Sequence, residues 1–186
     1  DPAHQRRLAS VQEEIGRLNR ITEQLLLLAR FDAGGNTLTL ARVDFSAFLS
    51  AACEDIELLA TAGEVSLQLD IPPGIGLEGD ADHLCRMFLN LLENAVRYNL
   101  PQGTVKCRLH EANGLAILTI GNTGRGIPPE SRSQLFQRFF RVDAARTRGG
   151  HGLGLSLSRE IARAHGGDIT FNPDSPAGWT EFVVTL

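Results

Sequence analysis

Apolar residues alternate at spacings of three and four through the first thirty residues, which predicts one long amphipathic helix. The positions of this seam are Leu8, Val11, Ile15, Leu18, Thr22, Leu25 and Leu28. It is typical of a coiled coil and lasts about three heptads. Ile21 and Leu26 widen the stripe, as a four-helix bundle requires. The Gly-Gly-Asn sequence at 34–36 ends the helix.

The pattern allows two packing partners for this helix: a second helix of a bundle or dimer, or its own globular domain. The face opposite the seam is polar, and its members are Gln12, Glu13, Arg17, Arg20 and Gln24. A polar outer face and the absence of helix breakers favour the bundle or dimer.

The rest of the chain alternates between strand and helix patterns. Strands are expected at 37–43, 65–69, 104–110, 115–120, 169–171 and 181–185. Helices are expected from a cap at Asp44 or Ser46 to about Ala62, from a cap at Asp80 to Tyr98, and from 154 to about 165. This order predicts an α+β fold, a two-layer sandwich with helices on one face of a mixed sheet. We divide the chain into a helical segment, 1–33, and a globular domain, 37–186.

Composition narrows the class of protein. The chain has 186 residues, 42% hydrophobic and 22% charged, so a packed core is expected. A net charge of −4 gives no reason to expect a nucleic-acid partner. Cys53, Cys85 and Cys107 are expected to be free thiols in a reducing compartment. The longest apolar run, 25–29, is far shorter than the roughly 18 residues that span a bilayer. We interpret the chain as part of a longer protein whose membrane segment lies upstream.

The polar face of the helix at 80–98 is the first candidate for chemistry. Asn90, Asn94 and Arg97 fall at i, i+4 and i+7 and so share one side, next to Glu93 and Tyr98. Amide oxygens are hard ligands suited to Mg²⁺, and a guanidinium matches phosphate. The pattern indicates a nucleotide site or an ordinary solvated face.

Two glycine-rich segments follow. Residues 122–128 (Asn-Thr-Gly-Arg-Gly-Ile-Pro) come directly after a predicted strand, where glycines admit a ligand or form a plain surface turn. Residues 149–155 (Gly-Gly-His-Gly-Leu-Gly-Leu) open a helix, where free backbone N–H groups bind phosphate. Neither segment fits the P-loop or the dinucleotide fingerprint.

A Phe-rich segment at 135–143 lies between the glycine segments. Arg138 and Arg141 within it are candidates for phosphate binding or for helix capping. Residues 144–150 are small, basic and glycine-ended, as a mobile lid would be.

The order and spacing of these segments resemble the four sequence boxes of histidine kinases in the GHKL ATPase superfamily. Residues 90–98 resemble the N box, 122–128 the first glycine box, 135–143 the F box and 150–155 the second glycine box. Residues 178–182 resemble the family's terminal strand, and the helix ending at 25–32 resembles the second helix of the dimerisation and phosphotransfer domain. The resemblance covers essentially the whole chain and implies the Bergerat type of α/β sandwich.

The resemblance implies a site for ATP and Mg²⁺. Asn94 would coordinate Mg²⁺, with Asn90 as a possible second ligand. Asn122 would meet the adenine amino group, and Thr180 would support the same end of the pocket. The implied ATP-binding residues are Asn90, Asn94, Arg97, Tyr98, Asn122, Gly124, Gly126, Ile127, Arg141, Gly150, His151, Gly152, Leu153, Gly154 and Thr180. His151 occupies a lid position, where a solvent-exposed histidine is the alternative.

Two departures from the family pattern change what is expected. Asn122 stands where the first glycine box normally begins with Asp, so ATP binding is expected to persist in weaker form. No His-Glu/Asp-x-x-Pro phosphoacceptor motif occurs, and His4 precedes Gln-Arg-Arg. No catalytic residue is therefore assigned, and the chain is not expected to phosphorylate itself. A degenerate scaffold without catalysis is the alternative.

The resemblance also implies a cellular setting. The parent would be a bacterial inner-membrane sensor with this part in the cytoplasm, and the membrane would be reached only through an upstream segment. It would form a homodimer through the N-terminal helix and pass phosphate to a response regulator receiver domain.

Overall fold

The computed structural model describes residues 1–34, 38–142 and 151–186, and these form five helices and seven strands. The helices are α1 Pro2–Asp32, α2 Phe45–Ala62, α3 Ala81–Arg97, α4 Pro129–Arg132 and α5 Gly154–Ala164. The strands are β1 Ala41–Asp44, β2 Ser66–Asp70, β3 Gly76–Gly79, β4 Thr104–Ala112, β5 Leu115–Thr123, β6 Asp168–Phe171 and β7 Trp179–Thr185.

Five of these strands form a mixed sheet in the order β2-β4-β5-β7-β6. β2 and β4 run parallel, and the other neighbours are antiparallel. Alternate residues of the central strands, such as Val105, Leu118 and Val184, are fully buried. They pack against the apolar faces of α2, α3 and α5, which cover one side of the sheet. The predicted two-layer α+β fold is confirmed.

Helix α3 begins where the sequence predicts because Asp80 caps it. Asp80 Oδ1 accepts a hydrogen bond from the His83 amide at 3.1 Å, and Oδ2 accepts one from the Thr39 amide at 2.9 Å. At α2 the cap is Asp44 and not Ser46, the other candidate. Asp44 Oδ1 accepts from the Ala47 amide at 3.0 Å, whereas the Ser46 hydroxyl donates to the Pro72 carbonyl at 2.7 Å.

The strand expected at 37–43 is shorter and differently placed. β1 covers Ala41–Asp44 and pairs antiparallel with β3, a strand that the sequence pattern does not predict. Part of the expected strand, at 37, lies outside the described residues. A second difference is α4, a single helical turn in the segment after the first glycine box.

The C-terminal half of α1 packs on the globular domain. Leu28 is 1% exposed, and Ile21, Leu27 and Phe31 are partly buried against the same core. The rest of the apolar seam stays open: Leu8, Val11, Ile15 and Leu18 are each more than half exposed. Leu28 therefore packs in the core of the globular domain, although its spacing places it in the predicted seam. Among the described residues, no helix combines the length and apolarity needed to cross a bilayer.

Candidate nucleotide site

The polar side of α3 faces a cavity. Its other side is fixed in the core by Leu84, Met87, Phe88, Leu91, Leu92, Ala95 and Val96. Because these apolar residues hold the helix in one rotation, Asn90, Asn94 and Arg97 point together into the opening. The cavity has a volume of about 410 Å³, within the range of small-ligand sites.

Nearly all of the predicted site residues line this one cavity. They are Asn90, Asn94, Arg97, Tyr98, Asn122, Gly126, Ile127, Arg141, His151, Gly152, Leu153, Gly154 and Thr180. Gly124 lies at the edge: a side-chain carbon there would sit 3.2 Å from both Asn122 Nδ2 and the Tyr98 carbonyl. Gly150 and the candidate lid at 144–150 lie outside the described residues.

The N-terminus of α5 forms one end of the cavity. In the described part of the chain, no side chain caps its first turn, so backbone N–H groups remain available for an anion. Gly154 brings this turn against α3, since a Cβ there would lie 3.7 Å from Asn94 Nδ2 and 3.9 Å from Asn90 Oδ1. Asn90 Nδ2 is buried and has no hydrogen-bond partner among the described residues. An orphaned buried donor beside an uncapped helix end suits a bound anion.

The other end of the cavity lies where two antiparallel strands meet. Asn122 belongs to β5 itself, which extends three residues beyond the predicted strand end at 120, and it pairs in register with Thr180 of β7. Its side chain is 4% exposed, and Nδ2 donates to the Thr123 carbonyl at 2.9 Å. Because one of the two amide N–H groups is engaged in this way, the side chain has its carbonyl oxygen and its second N–H left for a ligand.

Charge around the cavity is strongly unbalanced. Among the described residues its lining includes four arginines, Arg20, Arg97, Arg125 and Arg141, and one carboxylate, Glu93. Arg97 and Glu93 approach to 3.9 Å on the same helix face. The excess of positive charge favours a ligand that carries several negative charges.

Helix α1 also reaches the cavity, a contact that the sequence pattern does not predict. Arg20 and Gln24 line it, and Arg17 Nε donates to His151 Nε2 at 2.7 Å. Burial, followed by the charges of Arg17, Arg141 and Arg20, lowers the pKa of His151 below its usual value. The His151 side chain is therefore not a free, solvent-exposed imidazole, because Arg17 of α1 holds its ring by a hydrogen bond.

Arg138 pairs with a carboxylate of α1 and is not part of the cavity lining. Its Nη2 lies 2.6 Å from Oδ1 of Asp32 at the end of α1. The bond and charge of Arg138 lower the pKa of Asp32. The F-box segment is therefore tied to α1 by an exposed ion pair.

Comparison with known proteins agrees with this geometry. Residues 79–186, more than half of the chain, match the family model of histidine kinase-, DNA gyrase B-, and HSP90-like ATPases. A solved structure of the mycobacterial sensor histidine kinase MprB superposes with a TM-score of 0.71 at 30% identity, over 78% of this chain and 97% of that one. The chain belongs to this ATPase family, among its sensor histidine kinases.

Full-length relatives extend beyond this chain. The kinase/phosphatase MprB of Mycolicibacterium smegmatis is 35% identical over 91% of the chain and 34% of its own length. The histidine kinase BaeS of Escherichia coli is 32% identical over 96% of the chain and 38% of its own length. The chain spans about a third of these relatives and covers their catalytic ATPase region. Full-length ShkA, solved with AMPPNP, has the same fold, with a TM-score of 0.82 over 98% of this chain and 38% of that one, at 24% identity.

The residues present suit the nucleotide of a histidine kinase ATPase domain. Asn94 and Asn90 offer amide oxygens of the kind that Mg²⁺ accepts. The uncapped N-terminus of α5 and the arginines of the lining provide positive charge for phosphates. Asn122 and Thr180, paired on neighbouring strands, provide side-chain oxygens that accept hydrogen bonds.

Proposed function

We propose that this chain binds ATP with Mg²⁺ in the cavity between α3 and α5. The observation that carries the proposal is the orphaned, buried Asn90 amide nitrogen, which lies against the uncapped N-terminus of α5 in a lining with four arginines and one glutamate. A buried donor without a partner costs free energy, and a phosphate oxygen removes that cost.

In this proposal the chain's own residues position the nucleotide. Asn94 holds Mg²⁺, with Asn90 as a second ligand or phosphate donor, and bound Mg²⁺ neutralises phosphate charge. Arg97 and Arg141 contact phosphates, and the first-turn amides of α5 receive them. Asn122 accepts from the adenine amino group. Catalysis then rests on positioning and charge neutralisation rather than on a protein nucleophile.

For the full-length protein we propose γ-phosphoryl transfer to a histidine outside these 186 residues, followed by relay to a response regulator receiver domain. The names of the relatives support this reading, since MprB and BaeS are histidine kinases. The first 33 residues would be the second helix of the dimerisation and phosphotransfer domain, in a cytoplasmic region of an inner-membrane protein. The MprB name also includes a phosphatase, so that activity belongs to the same proposal.

A second candidate function is a non-catalytic scaffold that dimerises and docks a response regulator. Asn122 favours it, because an amide stands where the family pattern has a carboxylate. The two candidates differ in whether nucleotide binds.

Displacement of a fluorescent trinitrophenyl-ATP separates the candidates. An ATP-binding domain releases the probe as ATP is added with Mg²⁺, whereas a scaffold shows no saturable probe binding at millimolar nucleotide. A parallel incubation with γ-labelled ATP tests the kinase part. We expect the chain to remain unlabelled, and stable, acid-labile phosphate on any of its five histidines would contradict this expectation.

A further inference from the structure

Helix α1 presents to the catalytic domain a face that contains both polar and apolar residues. Arg17, Ile21, Gln24 and Leu28 follow one another at spacings of four, three and four, so they lie on one side. All four are half-buried or buried. The exposed seam that contains Val11 and Leu18 lies on another side of the helix. Docking on the catalytic domain therefore leaves the seam open.

Arg20 stands beside this docked face and lines the cavity together with Arg141. Within the described residues, no carboxylate lies at salt-bridge distance from it. Its neighbour Arg17 pairs with Glu14 at 3.4 Å on the exposed side and donates to His151. Because His151 Nε2 accepts that bond, the ring is neutral and does not offset the positive charge.

Three guanidinium groups converge on this part of the cavity. Arg20 and Arg141 line the cavity together with His151, and Arg17 Nε lies 2.7 Å from His151 Nε2. The charges of all three lower the pKa of His151. Two of them come from α1 and one from the F-box segment. Like charges held this close repel one another, and an anion between them reverses the sign of the interaction.

We propose that Arg20 is a phosphate-binding residue supplied by α1, and that the charge of the nucleotide's outer phosphates draws α1 onto the catalytic domain. The inference rests on the proposed ATP site. It adds a ligand from outside the four sequence boxes and makes the position of α1 depend on nucleotide. Arg20 is a positioning residue for the phosphates, and a guanidinium suits that role because it presents a fork of donors.

Calorimetric titration of the 186-residue chain with Mg²⁺ and AMP-PNP, an ATP analogue, tests the contact. The variants are Arg20→Gln and, as matched control, Arg7→Gln, which removes the same charge from an exposed position of the same helix. We expect Arg20→Gln to weaken AMP-PNP binding by about fivefold to tenfold, as an exposed charged hydrogen bond would. Binding of adenosine, which has no phosphate, should stay the same in all three proteins.

Hydrogen exchange of the α1 amides supplies the second measurement. AMP-PNP should slow exchange across residues 17–31 in the parent chain and in Arg7→Gln, and should slow it less in Arg20→Gln. Equal AMP-PNP affinity in Arg20→Gln and the parent chain would overturn the inference and leave the proposed function intact. A parent chain that binds no AMP-PNP at millimolar concentration would remove the proposed function, and this inference with it.

Discussion

Asn122 determines which hydrogen-bonding groups the adenine end of the cavity offers to a ligand. One N–H of its amide donates to the Thr123 carbonyl, which leaves the carbonyl oxygen and the second N–H for a ligand. Replacing it with the family's usual Asp should strengthen that acceptor, because charge-assisted hydrogen bonds are shorter and stronger. We expect Asn122→Asp to tighten AMP-PNP binding by about threefold to tenfold, and Asn122→Ala to weaken it by about tenfold, in calorimetry. An Asp cannot make the hydrogen bond to the Thr123 carbonyl, so weaker binding by Asn122→Asp would show that the amide donors, to Thr123 or to the ligand, matter more than the strengthened acceptor.

Asp80, which caps α3, makes the stability of the fold depend on pH. Burial alone would raise its pKa, but the hydrogen bonds from His83 and from the Thr39 amide hold the pKa of Asp80 at about 2. A carboxylate with a depressed pKa stabilises the fold above its unfolded pKa near 4, and that contribution is lost as the pH falls towards 2. We expect Asp80→Ala to lower the free energy of unfolding by about 2–3 kcal/mol at pH 7 in urea titrations.

The matched control for this cap is Asp82→Ala. Asp82 is an exposed acid in the same first turn, and its loss removes only a helix-dipole interaction of roughly 0.3–1 kcal/mol. The gap between the two variants should narrow as the pH approaches 2. An equal loss of stability in both variants at pH 7 would contradict the capping role.

At the level of elements, Gly152 joins the F-box segment to the start of α5. Its φ is +70°, and a Cβ there would lie 2.6 Å from the Phe139 carbonyl carbon and from the Phe140 oxygen. Gly152→Ala must therefore shift backbone that lines the cavity. We expect AMP-PNP affinity to fall more than about tenfold, measured by calorimetry.

Gly114→Ala is the control for this substitution. Gly114 also has a positive φ, +75°, but a Cβ there meets nothing within 4 Å, and the residue lies in the β4–β5 turn. The change should cost about 1 kcal/mol of stability and leave nucleotide affinity unchanged. Intact affinity in Gly152→Ala would show that the segment does not shape the phosphate end.

The elements that sequence predicts best are those with strong periodicity and a cap. α2 and α3 begin after Asp44 and Asp80, as their capping chemistry dictates. β3 escapes prediction because two of its four residues are glycine, and only pairing with β1 makes it a strand. Asn122 falls beyond the predicted end of its strand at 120, because its strand partner Thr180 lies far along the chain. Non-local pairing overrides local propensity at both places.

The sequence predicts most of the residues of the site, but it does not predict the part of the cavity lining that α1 supplies. The sequence boxes bring together Asn90, Asn94 and Asn122, whose grouping follows from helix face and strand end. Arg17 and Gln24 lie on a polar face that periodicity assigns to solvent. Amphipathicity shows which side of a helix is polar but not what that side contacts, so the contribution of α1 needs the structure.

For the whole molecule, the open part of the seam predicts self-association. Leu8, Val11, Ile15 and Leu18 are 53–64% exposed along one stripe, the arrangement that a paired helix covers. We expect sedimentation to show a concentration-dependent dimer that Leu18→Glu shifts to monomer. Leu58→Glu, at an 81% exposed leucine of α2, should leave the dimer intact. A monomer throughout the micromolar range would contradict pairing through α1.

We propose that the cavity binds ATP through Mg²⁺ held by Asn94, and calorimetric titration with AMP-PNP, first with Mg²⁺ and then with a chelator, tests this proposal. We expect one saturable site per chain, affinity at least about tenfold weaker without Mg²⁺, and a similar loss with Mg²⁺ present in Asn94→Ala. No saturable binding at millimolar AMP-PNP with Mg²⁺, or binding that neither Mg²⁺ nor Asn94 affects, would contradict it.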